Sequence, residues 1–218
     1  MSLKFSNTTS DFIEWNSMLI LVRNLFNDEN YQMSLLISLG SFWGLRISDI
    51  LNLTWNQILN TEQLEIHEKK TGKRRVIKIN TQLQKHIAEC FNAIQPRKIE
   101  SKCFLSQKGT VYSVQRINVI LKELKAKYNV KIDHFSSHSL RKTFGGTVYN
   151  NSENNAEFAL VKLSELFNHS DVRTTRKYLG LRNDELMETY ELLKFYRFDF
   201  LSYFFVSIFK SIVKLTQT

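Results

Sequence analysis

The chain has 218 residues, of which 43% are hydrophobic and 23% are charged, a balance that excludes a disordered segment and allows one substantial core. Its two cysteines, Cys90 and Cys103, are too few for a disulfide framework, which favours the reducing cytoplasm. The net charge is +9, and residues 65–142 hold the excess, because eighteen basic and six acidic side chains there give +12. Such a stretch attracts nucleic acid, or it is simply a solvated surface.

The first predicted elements are helices. Asp11 and Glu14 have the spacing of a capping box and predict that a helix begins here. Its apolar positions repeat at helical spacing: Phe12, Trp15, Leu19, Val22 and Phe26. A second helix is predicted from Asp28 to Gly44, a residue type that often follows a helix end. A short third helix is predicted to begin at Ser48.

The middle of the chain is predicted to contain short strands as well as helices. Two strand-like runs within residues 63–79 flank Thr71-Gly72-Lys73, which predicts a β-hairpin with a glycine turn. An amphipathic helix follows and ends before Pro96. The segment KCFLS predicts a short strand, and further helices are predicted at 113–129, 137–149, 154–167, 171–179 and 183–195. The fold class is therefore mostly α with a small antiparallel β-sheet (α+β).

Two motifs in the first half carry chemistry. Arg46, in the turn Gly-Leu-Arg-Ile-Ser-Asp, can offer a bidentate fork to a phosphate, and Asp49 is placed to orient that guanidinium. Lys70, in the hairpin turn, can enter a DNA groove or give a proton to a leaving oxygen. Taken alone, each motif is better explained without chemistry: Arg46 as an ordinary surface arginine, and the turn as a charged edge that prevents aggregation.

Two further motifs lie in the second half. His138 and Arg141 are three residues apart on a predicted helix, so both project from one face. His169 follows a helix, and Tyr178 lies nine residues later beside Arg176. A tyrosine hydroxyl has a pKa of about 10 and needs cationic neighbours to become a good nucleophile. Any one of these residues, taken alone, has an ordinary structural explanation.

In this order the motifs resemble the tyrosine recombinase (phage integrase) family, whose pattern is R…K…H-x-x-R…H/W…Y. The flanking segments G-L-R-I-S-D, K-T-G-K, H-S-L-R-K-T-F and H-S-D-V-x-T-T-x-x-Y-L strengthen the likeness, which covers residues 8–195. It implies a catalytic core like that of the type IB topoisomerases, spanning residues 1–197. The implied catalytic residues are Arg46, Lys70, His138, Arg141, His169 and Tyr178.

The resemblance also implies the roles of these residues. Tyr178 is expected to attack a DNA phosphate and form a 3′-phosphotyrosine, while Arg46 and Arg141 hold the phosphate oxygens. Lys70 is expected to be the general acid, and His138 and His169 to donate hydrogen bonds or handle the proton of the nucleophile. No metal or other cofactor is expected, since the arginines supply positive charge. The partners implied are double-stranded DNA, contacted through Lys69, Lys73, Arg74, Arg75, Lys142 and Arg176, and further copies of the chain in a tetramer.

Two departures from the family pattern stand out. Asn168 occupies the position before His169 where the family usually has glycine, and asparagine is the best substitute in a left-handed helix end. Only about ten residues precede the first predicted helix, so the sequence predicts that the usual N-terminal core-binding domain is absent. Either the chain is part of a longer protein or it resembles the short recombinases.

Residues 198–218 predict an amphipathic helical tail. Leu201, Phe205, Ile208, Ile212 and Leu215 form its apolar face, and Lys210 interrupts the run before it could span a membrane. The tail either packs on its own domain, docks on a second protomer as in the family, or lies on a membrane surface, and no membrane partner is expected. Two functional alternatives stay open: a type IB topoisomerase, and a DNA-binding protein on an inherited recombinase scaffold.

Overall fold

A computed structural model describes residues 11–152 and 155–181. Its elements in chain order are α1 Trp15–Asn27, α2 Tyr31–Trp43, α3 Ile47–Ile50, α4 Trp55–Ile58, β1 Gln63–His67, β2 Arg74–Lys78, α5 Thr81–Ile94, α6 Val114–Lys127, α7 Ser137–Asn150, α8 Ala156–Phe167 and α9 Val172–Leu179. The two strands pair antiparallel, with Gln63 opposite Lys78 and His67 opposite Arg74.

The predicted class, mostly α with a small antiparallel sheet, is confirmed. The predicted helix at 183–195 and the tail at 198–218 lie outside the described residues.

The centre of the fold is α2, a helix that is apolar on nearly all sides. Leu35, Leu36, Ile37 and Leu39 are fully buried, and α2 packs against α1, α5 and α7. At Gly40 the backbone of α2 comes so close to α7 that an added β-carbon would lie 2.8 Å from Leu140 Cδ1. This close approach fixes α7 beside the C-terminal end of α2, which ends at Gly44 as predicted, with Gly44 in a left-handed conformation at φ 57°.

The predicted cap and the predicted buried face of α1 were both wrong. Helix α1 begins at Trp15 and is capped by Glu14, whose side chain accepts a hydrogen bond from the Ser17 N–H at 3.0 Å. Asp11 instead accepts from the His134 N–H, and the buried face of α1 consists of Met18, Leu21 and Leu25. Leu19, predicted to face the core, is 39% exposed.

The segment KCFLS forms no strand within the described residues, where only isolated bridges join Thr54 to Lys102 and Leu105 to Val111. Helix α4, a single turn capped by Thr54 and Gln57, had no counterpart in the predicted elements. In both places a tertiary contact supplies the hydrogen bonds: the Trp55 N–H donates to Ser101 O, and the Cys103 N–H donates to Leu53 O.

Candidate active site

The six predicted catalytic residues meet at one cavity of about 460 Å³. It lies among the turn after α2, the β1–β2 hairpin turn, and helices α6, α7 and α9, and its lining includes Arg46, Lys70, His138, Arg141, His169 and Tyr178. These residues are separated by up to 132 positions in the chain, from 46 to 178. The close packing of α2 on α7 brings the two arginines together.

The guanidinium of Arg141 is fixed by the C-terminal ends of two helices. It donates to Gly44 O at 2.7 Å and to Phe167 O at 2.9 Å, and the residue is only 4% exposed. Helix C-termini carry partial negative charge, which stabilises a buried cation. Burial lowers the pKa of Arg141 to about 10, so the group stays cationic at neutral pH. Since two of its five N–H donors are used here, others are left for a ligand in the cavity.

Arg46 shares one of these acceptors and has a buried carboxylate as its main partner. It lies 3.3 Å from Phe167 O and 2.5 Å from Glu68 Oε2, and the Glu68 side chain is only 4% exposed. Burial alone would raise the pKa of Glu68. The hydrogen bonds from Arg46 and Thr71 and the charges of Arg46 and Arg75 outweigh that effect and lower the pKa. Glu68 is therefore an anion between two arginines.

The partner predicted for Arg46, Asp49, has another position. Its Oδ1 accepts a hydrogen bond from the Lys69 N–H at 3.0 Å, so it holds the backbone of the hairpin turn. The orienting role assigned to Asp49 belongs in this structure to Glu68, which the sequence analysis missed. A signal for Glu68 was present, because Leu64 and Ile66 face the core and Glu68 continues the same alternation inward.

The two histidines flank the ring of Tyr178. The ring centroids of His169 and Tyr178 are 5.3 Å apart, and those of His138 and Tyr178 are 6.4 Å apart. His169 Nδ1 lies 2.9 Å from Thr175 Oγ1, a buried hydroxyl on the helix that carries Tyr178. Burial, together with the charge of Arg141, lowers the pKa of both imidazoles. Both histidines are therefore neutral at pH 7 and able to accept a proton.

The hydroxyl oxygen of Tyr178 is buried. Its ring packs at 5.5 Å from the ring of Phe167, and the Lys142 Nζ lies 5.4 Å from the Tyr178 ring centroid. Burial raises the pKa of Tyr178 to about 12, although the charges of Arg141 and Arg46 oppose this. At neutral pH the residue is a phenol, so a reaction at its oxygen requires a base or a strongly attracting phosphate.

The residues predicted to contact DNA divide by exposure. Lys69, Lys73 and Arg74 lie exposed on the hairpin, where Arg74 pairs with Glu65. Arg176 contacts the Glu157 carboxylate, and its side chain is 29% exposed.

The other two residues predicted to contact DNA, Arg75 and Lys142, are largely buried and have other contacts. The Arg75 side chain is 12% exposed and donates to Trp43 O at 2.8 Å and Leu166 O at 3.2 Å, so it fastens the hairpin to α2 and α8. Lys142 is 7% exposed beneath the Tyr178 ring.

Asn168 has the conformation expected of it, with φ 51° and ψ 50° in the left-handed region. Its side-chain Oδ1 also accepts a hydrogen bond from Lys73 Nζ at 2.5 Å, which joins the hairpin to the turn that carries His169. The lining residues that were not predicted include Thr71 and Asn118. The Oδ1 of Asn118 accepts a hydrogen bond from the Ser137 N–H at the start of α7.

Between residues 11 and 181, apart from 153 and 154, no group of three His, Cys, Asp or Glu side chains is close enough to hold a metal ion. The same residues include no helix that is both long and apolar enough to cross a membrane.

Comparison with known proteins gives the family. The model of the phage integrase family matches residues 16–185 of this chain. The chain belongs to the phage integrase family. It is 30% identical over 173 residues to the probable integrase/recombinase YoeC of Bacillus subtilis strain 168, covering 78% of this chain and 90% of YoeC.

Solved structures of tyrosine recombinases share the fold. XerA recombinase matches with a TM-score of 0.66 at 18% identity, over 86% of this chain and 67% of XerA. XerH bound to its palindromic difH substrate in a post-cleavage complex matches with a TM-score of 0.63 at 17% identity. That match covers 84% of this chain and 53% of XerH, so this chain spans about half of that protein.

Proposed function

We propose that this protein is a site-specific DNA recombinase that cleaves and rejoins strands through a covalent link to Tyr178. The observation that carries the proposal is the single cavity lined by two arginines, two histidines, a lysine and a tyrosine. Membership of the phage integrase family supports the reaction class. The roles below are assigned on the positions of these side chains.

In the proposed reaction the Tyr178 oxygen attacks the scissile phosphorus, and the bond from phosphorus to O5′ breaks. Arg46 and Arg141 donate hydrogen bonds to the two non-bridging oxygens, where negative charge develops. Because His138 and His169 are neutral, either can accept the proton that the Tyr178 phenol releases. The ammonium of Lys70 gives its proton to O5′, which leaves as a hydroxyl. Attack of a 5′-hydroxyl on the phosphotyrosine then reverses these steps.

We also propose double-stranded DNA as the partner, held against the exposed cations Lys69, Lys73 and Arg74, with Arg176 contributing at α9. XerH, a site-specific recombinase of the same fold, was solved bound to its palindromic difH substrate, which supports the proposal of a DNA partner. Assembly into a tetramer on DNA, and action in the cytoplasm, stay predictions of the sequence.

The experiment that tests the function is covalent capture. The protein is incubated with nicked duplexes of randomised sequence, so that cleavage releases a short fragment and traps the enzyme, and detergent-stable adducts are recovered. We expect adducts with wild-type protein and none with Tyr178→Phe. Tyr128→Phe is the matched control, because the Tyr128 hydroxyl bonds to Asp28 away from the cavity lining.

Two assays separate the alternatives: relaxation of a supercoiled plasmid tests for the topoisomerase, and the adduct assay tests for a protein that only binds DNA. A type IB topoisomerase would relax supercoiled DNA as a monomer, without a requirement for paired sites. A DNA-binding protein without catalysis would retain duplexes but form no adduct on any sequence, and that result would overturn the proposal.

A further inference from the structure

One oxygen atom joins the phosphate-binding side of the cavity to the hairpin turn. Glu68 Oε2 accepts from Arg46 Nη1 at 2.5 Å and from the Thr71 hydroxyl at 3.0 Å. The other oxygen of the same carboxylate, Oε1, lies 3.6 Å from Arg75 Nη1. Because the Glu68 side chain is only 4% exposed, water competes little with these contacts.

The turn that carries Lys70 is exposed and is held by a few hydrogen bonds. Lys70 itself is exposed, and Gly72, at φ 67°, has no heavy atom within 4 Å of where a β-carbon would lie. Backbone hydrogen bonds close the turn at its base, where the Gly72 N–H donates to Glu68 O at 2.8 Å. Two part-buried side-chain contacts flank Lys70: the Thr71 hydroxyl donates to Glu68, and the Lys69 N–H donates to Asp49. An exposed contact joins Lys73 to Asn168. Of these contacts, the one between Thr71 and Glu68 ends on the carboxylate that also holds Arg46.

We propose that Glu68 and Thr71 are positioning residues that tie the Lys70 turn to Arg46, so that the proton donor and the phosphate-binding arginine are held in one arrangement. The proposal rests on the proposed function of Lys70 as the acid for O5′. Thr71 and Glu68 touch no reacting atom in this scheme. Their effect is to limit where the Lys70 ammonium can reach over the cavity.

The contact can be removed at Thr71 without disturbing the arginines. Thr71→Val keeps the side-chain shape and loses the hydroxyl that donates to Glu68, whereas Thr71→Ser keeps the hydroxyl. The Thr71 Oγ1 also lies 3.4 Å from the Lys73 N–H, a contact that the serine variant can retain. Thr110→Val, in an exposed turn outside the cavity lining, is the control for the chemical change itself.

The decisive measurement compares two leaving groups. A sulfur atom in place of O5′ leaves as a thiolate, which needs no proton because a thiol has a pKa of about 8.5. General acid catalysis increases the rate of cleavage by about 100-fold or more. Lys70→Ala therefore measures the full loss of rate, and a displaced Lys70 is expected to lose only part of it. We expect Thr71→Val to cleave ordinary DNA about 10-fold more slowly and the sulfur substrate at nearly the wild-type rate. Thr71→Ser and Thr110→Val should match wild type on both.

Hydrogen exchange gives a second readout that needs no DNA. We expect the Gly72 amide to exchange several-fold faster in Thr71→Val than in wild type or Thr71→Ser, because the turn opens more often. Equal slowing of both substrates, no slowing of either, or unchanged exchange at Gly72 would overturn the positioning role. If wild-type protein forms no adduct at all, the proposed function fails instead, and the exchange experiment still reports on the Thr71–Glu68 contact.

Discussion

The two sides of the cavity are held in different ways. On the arginine side, Arg141 is buried and donates to carbonyl oxygens at the ends of α2 and α8, both parts of the core. On the hairpin side, Lys70 lies on an exposed turn held by Glu68, Asp49 and the exposed Lys73–Asn168 contact. The arginines proposed to bind the phosphate are thus held by the core, whereas the position of the proposed proton donor depends on a few side-chain contacts.

The largest expected effect is on the arginine side. In Arg141→Lys one ammonium cannot replace both hydrogen bonds, to Gly44 O and Phe167 O, and still face the phosphate. We expect adduct formation to slow by about 100- to 1000-fold and the free energy of unfolding to fall by about 2 kcal/mol. Single-turnover cleavage and urea unfolding measure the two quantities.

The control for this change is Arg116→Lys, because Arg116 makes an exposed pair with Glu123 on α6. Arg141→Lys with wild-type cleavage would show that the carbonyl contacts of Arg141 do not organise the site.

The next largest effect is expected on stability, where two ion pairs of the same hairpin can be compared. Glu68→Ala leaves Arg46 and Arg75 without their buried anion, and we expect the free energy of unfolding to fall by about 3 kcal/mol. Glu65→Ala removes the partner of Arg74, but both side chains of that pair are at least half exposed, and we expect little change. Urea unfolding of both variants is the test, and similar losses would mean that burial does not distinguish the two pairs.

The histidines predict a dependence of stability on pH. An imidazole whose pKa is lowered by folding resists protonation, so the unfolded chain binds more protons once the pH falls below about 6.5. The free energy of unfolding should therefore decrease as the pH falls from 7 through that value toward the lowered pKa of His138 and His169. His138→Gln should show a smaller decrease than wild type in urea unfolding at pH 7.0, 6.0 and 5.5. Identical slopes would argue against a lowered pKa at His138.

The smallest effect is expected at the exposed contact of the hairpin with Asn168. Asn168→Gly suits the left-handed backbone, and we expect the free energy of unfolding to stay within about 0.5 kcal/mol of wild type. Asn168→Ala has the same loss of the Lys73 contact and adds backbone strain of about 1 kcal/mol. Thermal unfolding of the two variants separates the backbone from the side chain, and a larger loss for glycine than for alanine would show that this separation is wrong.

Local patterns predicted much of the fold because their causes are local. The end of α2 at Gly44, the hairpin turn at Gly72 and the start of α6 after Ser113 follow from capping and turn chemistry. The strand predicted at KCFLS failed, because its segment bonds to Leu53 and Thr54 through tertiary contacts.

Tertiary contacts also decided which partners the residues around the cavity have. The order of Arg46, Lys70, His138, Arg141, His169 and Tyr178 was visible in the sequence and pointed to the family, which the comparisons confirmed. Asp49 was predicted to be the carboxylate partner of Arg46, but in the structure that partner is Glu68. The sequence did not predict this, because the partner depends on where the hairpin packs against the turn after α2. Basic residues likewise give no sign of burial on their own, and Arg75 and Lys142 were assigned to DNA for that reason.

By itself, then, the sequence determined the family, the mostly helical fold class and the set of six candidate catalytic residues. Only the tertiary structure decided which of these side chains are buried and what each one holds, because burial depends on the approach of α7 to α2 at Gly40 and of the hairpin to α8. Those contacts join residues far apart in the chain. Their free energy comes from packing and from desolvated hydrogen bonds that no local pattern records.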